Sequence, residues 1–166
     1  SCGHVQLRDV VDPRALFENY VYVSGTSPVF VRHFEDYARS VVERFCPAAG
    51  GLALDIGSND GTLLGFFQQA GMKVLGVDPA RAIAAQATAR GIETWTDFFG
   101  PTLAARIRAE RGPAAVVAAN NVFAHIDDLG GVAEGVRDLL GPDGVFVFEV
   151  SYLVDVYEKT LFDTIY

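Results

Sequence analysis

The stretch LALDIGSNDGTLL, Leu52 to Leu64, decides the fold. Leu52 to Ile56 form a short apolar run interrupted by a single acid, Asp55. A turn of Gly57, Ser58, Asn59, Asp60 and Gly61 follows, and Thr62 then opens an apolar stretch suited to a helix. A strand–turn–helix junction of this kind lets a ligand approach bare backbone.

Outward from this junction the same alternation repeats. TLLGFFQQAG predicts a helix with Gly71 at its end. KVLGVD predicts a second strand, and PARAIAAQATARG a second helix with Pro79 in its first turn. IETW is a candidate short third strand, PTLAARIRAERG a helix, and AAVVAAN a buried strand. DDLGGVAEGVRDLLG follows as a helix capped by Asp127 or Asp128, and GVFVFEV as a fifth strand. Upstream, Phe30, Phe34, Tyr37, Val41 and Phe45 recur at spacings of three and four, which predicts one apolar stripe on a helix opened by Pro28. Strands alternating with helices imply right-handed crossovers and an α/β, doubly wound, mostly parallel sheet of Rossmann-like type. In such sheets the ligand sits beyond the carboxyl ends of the strands. Asp55 to Gly61, Asp78, Asp97 to Phe99, Asn120 to His125 and Glu149 to Tyr152 therefore become the candidate functional positions.

The turn itself narrows the ligand. A dinucleotide fingerprint needs G-x-G-x-x-G, and a phosphate loop needs Gly-Lys-Ser/Thr. Gly57 and Gly61 fit neither, and Asp60 would repel a phosphate while attracting a cation. S-adenosylmethionine, with a sulfonium and an ammonium close together, meets that description. Its ribose hydroxyls call for an acid at the end of the second strand, where Asp78 stands at the expected separation from the glycine turn. The plainer alternative is that Asp55 and Asp60 only shape a turn. Asp78 and the strand pattern together favour the cofactor, with Asp55, Gly57, Asn59, Asp60, Gly61 and Asp78 as its binding positions. Asn59 stands where D-x-G-x-G-x-G carries its middle glycine, and Asn tolerates the left-handed backbone such a turn requires.

Composition limits the remaining possibilities. The 166 residues are one domain's worth of chain, 50% hydrophobic and 20% charged, as expected of a packed core rather than disorder. A formal net charge of -8 argues against a nucleic-acid partner. No apolar run approaches the roughly 20 residues of a membrane span. Two cysteines, Cys2 and Cys46, do not make a disulfide framework, and a cytoplasmic setting is the default expectation. The opening Ser1 and the closing EKTLFDTIY suggest a piece of a longer chain, with the parallel sheet cut short at its C-terminal strands. Such a cut would leave a sheet edge unpaired. The sequence leaves the oligomeric state open.

LFENYVYVSGTS, LDIGSNDGTLL, GVDPA, NNVFAHIDDL, GPDGVFVFEVSYL and EKTLFDTIY, in this order, resemble the nucleotide-sugar C-methyltransferases of deoxysugar biosynthesis, whose branched sugars enter antibiotics and cell-surface glycans. The resemblance covers nearly the whole chain. It implies a class I methyltransferase domain at residues 28–166, preceded at residues 1–27 by a lead-in segment with the remnant of a zinc-binding region. Cys2 in SCGHVQL would be the last ligand of a four-cysteine site whose partners are not in this chain, so no metal is expected here.

The implied reaction is methylation at the carbon beside the keto group of a nucleotide-linked 4-keto-deoxysugar. It needs a base, donors for an enolate oxygen, and alignment with the methyl group. By resemblance His125 stabilises the enolate, although a loop histidine also commonly bonds its own backbone. Tyr20 either faces the sugar or packs the lead-in segment, while Tyr22 reads as packing. Tyr166 begins a Tyr-His-Glu-His motif of the family whose second histidine is the presumed base, and the chain stops there. The chain alone is therefore expected to turn over poorly. Asp97 is assigned to the adenine amino group, Phe98 or Phe99 to stacking, and Asn120 or Asn121 to the methyl-donating end. Glu149 either touches the sugar side or, as the plainer reading, is a solvated strand-end acid, and His33 reads as a surface or half-buried helix residue. Three alternatives remain: another small-molecule O- or N-methyltransferase, a non-catalytic S-adenosylmethionine-binding domain, and a nicotinamide oxidoreductase, which the glycine spacing disfavours.

Overall fold

The computed structural model describes residues 9, 11–45, 47 and 49–160. Cys2, Cys46 and Tyr166 lie outside the described residues. Five strands form one sheet in the order β3-β2-β1-β4-β5. They are β1 (Leu52–Ile56), β2 (Lys73–Val77), β3 (Thr94–Trp95), β4 (Ala114–Asn120) and β5 (Leu140–Glu149). Every pairing is parallel, as the alternating pattern predicts. The strand order reverses between β1 and β4, so the crevice of a doubly wound sheet opens there.

The helices are α1 (Pro13–Phe17), α2 (Pro28–Phe45), α3 (Thr62–Gln69), α4 (Arg81–Ala89), α5 (Pro101–Arg111), α6 (Leu129–Leu139) and α7 (Leu153–Glu158). They cover the sheet on both faces. Leu52, Leu54 and Ile56 of β1 join Val117 and Ala119 of β4 against Leu103 and Ile107 of α5 and Val132 and Val136 of α6. Ala53, Val116 and Ala118 face the other way, against Phe34 and Val41 of α2 and Leu64 and Phe67 of α3. A strand covered on both faces must be apolar at every position, and β1 is buried throughout.

Three local readings need correction. Helix α4 begins at Arg81 with Ala80 as its N-cap, so Pro79 precedes the helix instead of opening its first turn. Asp78 accepts the Ala80 N–H at 2.8 Å and holds that turn. Asp55 lies inside β1, not after it. Phe45 closes the α2 stripe exposed, while Phe34, Ala38 and Val41 carry the burial. Of the two candidate caps for α6 it is Asp128 that accepts the Gly131 N–H, at 2.8 Å.

The lead-in residues 11–27 form a strap over the carboxyl ends of the strands. It carries α1, a 3-10 turn at Ser24–Thr26, and the chain between them. Asp12 caps α1, with Pro13 at its start.

Candidate functional site

A cavity of about 580 Å³ opens at the switch point. Its floor is the glycine turn after β1, its sides are Asp78 and the segments after β3 and β4, and its roof is the strap.

The turn owes its shape to left-handed backbone at Gly57 (φ 71°), Asn59 (φ 51°) and Gly61 (φ 78°). At Gly57 a Cβ would also strike the Val122 side chain, so the position needs glycine twice over. The N–H groups of Gly57 and Ser58 both bond the Val77 carbonyl, at 2.8 and 3.2 Å, pinning the turn to the end of β2. Asp78 accepts the Asn59 N–H at 2.8 Å, so one carboxylate braces the turn and the start of α4. Burial raises the Asp78 pKa, and the N–H groups of Ala80 and Asn59 oppose that rise.

Asp55 is the outlier of the site. It is 4% exposed, and its Oδ1 has no hydrogen-bond partner. Burial, with the nearby charge of Asp78, pushes its carboxyl up to about 7. Strand parity puts Asp55 on the α2 face of the sheet, with Asn120 and Glu149 at the ends of β4 and β5. Both polar atoms of the Asn120 amide are buried without a partner, as is the Tyr37 hydroxyl from α2. Burial, reinforced by the charge of Asp55, drives the Tyr37 phenol far above its ordinary range. Buried polar groups left open in this way are costly unless something bonds them. A ligand with a cationic, hydrogen-bonding end fits the opening that Asp55 and Asn120 line.

Asp60 differs from the sequence expectation of an open acid. One oxygen accepts from the Thr62 N–H and hydroxyl, at 3.3 and 2.7 Å. The other accepts the Gly25 N–H at 3.2 Å and lies 3.5 Å from the Arg90 guanidinium. Its charge is already partnered, so its work in this structure is to hold the strap.

A methyltransferase-domain family model matches residues 30–166. The chain belongs to that family. The C-methyltransferase NovU of Streptomyces niveus is 40% identical over 165 residues, which is 99% of this chain and 39% of that protein. The chain thus spans well under half the length of this relative. Among solved structures, the plantazolicin methyltransferase BpumL in complex with a pentazolic desmethylPZN analog and SAH superposes with a TM-score of 0.64 at 12% identity. That likeness covers 83% of this chain and 53% of BpumL. The PH0226 protein of Pyrococcus horikoshii gives a TM-score of 0.64 at 20% identity, covering 84% of this chain and 62% of that one. At these identities the superpositions speak for the class I methyltransferase fold.

Within this methyltransferase domain the expected positions converge unevenly. Asp55, Gly57, Asn59, Asp60, Asp78 and Asn120 all line the cavity. So do Asp97, Phe98, Asn121, His125 and Tyr20. Gly61 is not part of the lining; it is the N-cap of α3. Asp97 is exposed, and its carboxylate accepts the Phe98 N–H at 2.8 Å. Phe98 carries the Arg14 guanidinium 5.7 Å from its ring centroid, which ties the strap to the segment after β3. His125 ends a 3-10 turn and is exposed, its ring 5.8 Å from Phe17. Tyr20 is 45% exposed and packs edge-on against Phe17, with ring centroids 6.0 Å apart.

Glu149 is not merely solvated. Its Oε2 sits 2.7 Å from His33 Nε2, and its Oε1 accepts weakly from the Asn121 amide at 3.4 Å. Sequence reasoning passed over Phe17 and Tyr37. Tyr37 was counted among the apolar stripe residues, yet helical spacing places it one turn after His33 and on the same face. Parity along β1, β4 and β5 would have found its polar neighbours. Among the described residues no group of His, Cys, Asp or Glu is arranged to hold a metal ion, and no helix is long and apolar enough to cross a membrane.

Proposed function

We propose that the domain binds S-adenosylmethionine in the switch-point cavity and contributes the cofactor half of a C-methyltransferase acting on a nucleotide-linked 4-keto-deoxysugar. The observation that carries the reading is Asp78. It is an acid at the end of β2, beside a left-handed glycine turn, in a cavity whose lining includes Asp55, Ser58 and Asn120 with buried polar atoms left open. The 40% identity to a C-methyltransferase supports the reaction class.

Bound there, S-adenosylmethionine supplies an electrophilic methyl group on a sulfonium. Asp78 accepts hydrogen bonds from a ribose diol while keeping those from Asn59 and Ala80, because a carboxylate has about four acceptor sites. Asp55 faces the cationic amino acid end with its open oxygen, and the Asn120 amide offers both a donor and an acceptor beside it. Asp97 accepts from the adenine amino group, and the Phe98 ring packs on the base.

On the substrate side, His125 and Tyr20 border one cavity from the segment after β4 and from the strap. Each can donate to the oxygen of a 4-keto sugar as the neighbouring C–H loses its proton and charge moves to that oxygen. The proton goes to a base, assigned through the resemblance to the segment after Tyr166. The sugar sits under the strap, with water excluded by Phe17, Tyr20 and Tyr22. The chain acts in the cytoplasm, where nucleotide-linked sugars are made.

The test is calorimetric titration with S-adenosylhomocysteine, beside Asp78→Asn and Asp78→Ala. The expected result is binding by the wild-type chain and a loss of about 100-fold or more in Asp78→Ala, the scale of charge-assisted hydrogen bonds. Absence of binding by a folded wild-type chain overturns the cofactor reading. The sugar assignment is tested in the longer protein, by exchange of the proton beside the ketone into heavy water. Methyl transfer without any such exchange-competent carbon in the substrate overturns it.

A further inference from the structure

Asn59 replaces a glycine of the methyltransferase turn, and the structure gives that side chain an occupation. Its backbone takes φ 51°, which Asn tolerates and glycine prefers. Its N–H bonds the Asp78 carboxylate at 2.8 Å. Its amide reaches up to the strap: Oδ1 accepts the Ser24 N–H at 2.9 Å, and Nδ2 donates to the Tyr22 carbonyl at 2.8 Å. One residue away, Asp60 accepts the Gly25 N–H. Gly25 comes so close that a Cβ there would run into the Asp60 carboxylate and lie 2.8 Å from Thr62 Oγ1. Two neighbouring turn residues therefore hold three strap positions within four residues: Tyr22, Ser24 and Gly25.

These bonds suspend the aromatic roof. Phe17, Tyr20 and Tyr22 line the cavity from above and touch one another edge-on or tilted, with Phe17 reaching His125. At its other end the strap rests, among the described residues, on contacts that each involve an exposed partner: Arg14 over Phe98, Phe17 beside the His125 ring, and Glu18 with Arg81 at 3.7 Å. Exposed contacts of that kind contribute little. The part-buried amide bonds of Asn59 are the stronger anchor.

We propose that Asn59 is a positioning residue for substrate recognition: it ties the cofactor turn to the strap, so that a ligand on Asp78 steadies the aromatic roof under which the second substrate sits. The inference rests on the proposed S-adenosylmethionine site. A ligand that holds Asp78 also holds the Asn59 N–H in place, and with it the direction in which the Asn59 amide points. The roof is then built best when the cofactor is present, which favours cofactor before sugar. A glycine at this position would keep the turn and lose the tie.

Amide hydrogen exchange of Ser24 and Gly25, with and without S-adenosylhomocysteine, reads this directly. Asn59→Gly keeps the backbone conformation. Ser24→Pro removes the bonded N–H from the strap side without touching the turn, and the extended Val23 before it accepts a following proline. The expected result is slow exchange in the wild-type chain, slowed further by S-adenosylhomocysteine. Asn59→Gly should exchange Ser24 and Gly25 about 10-fold faster, the scale of two lost hydrogen bonds, and Ser24→Pro, which loses one of the two, should speed Gly25 by a smaller factor. In both variants the added protection by S-adenosylhomocysteine should disappear although the compound still binds. Wild-type exchange rates in either variant overturn the proposal, as does undiminished ligand protection. If S-adenosylhomocysteine fails to bind the wild-type chain, the cofactor reading fails, while the exchange difference between the unliganded chains still judges the tie.

In the longer protein, the readout is the split between substrate constants. Asn59→Gly should raise the sugar KM several-fold more than it changes kcat. An equal fall in kcat and kcat/KM would overturn the positioning role.

Discussion

Asp78 stands two residues beyond Gly76, the strand partner of Asp55, and its charge adds to burial in holding the Asp55 carboxyl up at about 7. The folded chain therefore binds a proton that the unfolded chain has released at about pH 4. Between those values the native state holds more protons than the unfolded state, so stability falls as pH rises from about 4 to 7 and levels off above. Urea unfolding across that range is the check. Asp55→Asn should flatten the slope and be the more stable chain at pH 8.

The same acid sets the pH dependence of ligand binding. An ammonium group favours ionised Asp55, so S-adenosylhomocysteine should bind more tightly as pH rises to about 7, releasing a proton below it. Calorimetry in two buffers of different ionisation enthalpy counts that proton. No proton release at pH 6 would separate Asp55 from the cationic end of the ligand.

The Tyr37 hydroxyl is buried with no well-formed hydrogen bond, although the neighbouring Asn120 amide acts on it, so removing it should cost little. Tyr37→Phe is expected to change stability by less than about 1 kcal/mol, on the stabilising side. Thermal melting checks this. A loss of about 2 kcal/mol or more would mean that the hydroxyl makes a strong bond to the Asn120 amide.

Gly57→Ala meets both the left-handed backbone and the Val122 side chain. The expected loss is about 2–4 kcal/mol. Binding should suffer even in the folded fraction, because the turn can no longer sit against Val77. Denaturant unfolding and ligand titration at low temperature separate the two effects.

Phe67 is fully buried between α2, α3 and the sheet. Phe67→Ala should cost about 3–5 kcal/mol, a large part of the stability of a domain this size. Chemical denaturation provides the measurement.

The sheet and its helices were legible because both faces of β1 and β4 are covered, which forces long apolar runs that few other folds require. The turn beneath the cavity was legible for a related reason: Gly57 and Gly61 are demanded by left-handed backbone, and geometry leaves a mark on residue choice. The partners of Asp60 were not legible, because an acid in a turn looks the same whether it faces a ligand or the Arg90 guanidinium at the end of α4. The Asn59 amide was read only for its backbone tolerance, since its partners lie 35 and 37 residues away in the strap. Glu149 looked solvated for the same reason, its His33 partner belonging to a helix far earlier in the chain. Tertiary partners of polar side chains are set by packing, and spacing along the chain does not encode them.

The strand order also governs how the molecule comes together. β1, β2 and β3 join through local crossovers, but the pairing of Asp55 with Ala118 links segments distant in sequence, so its loop-closure entropy must be met before its contacts form. The cavity straddles that late seam. A molecule bound there clasps the two locally connected halves together, so the ligand should slow unfolding more than it hastens folding.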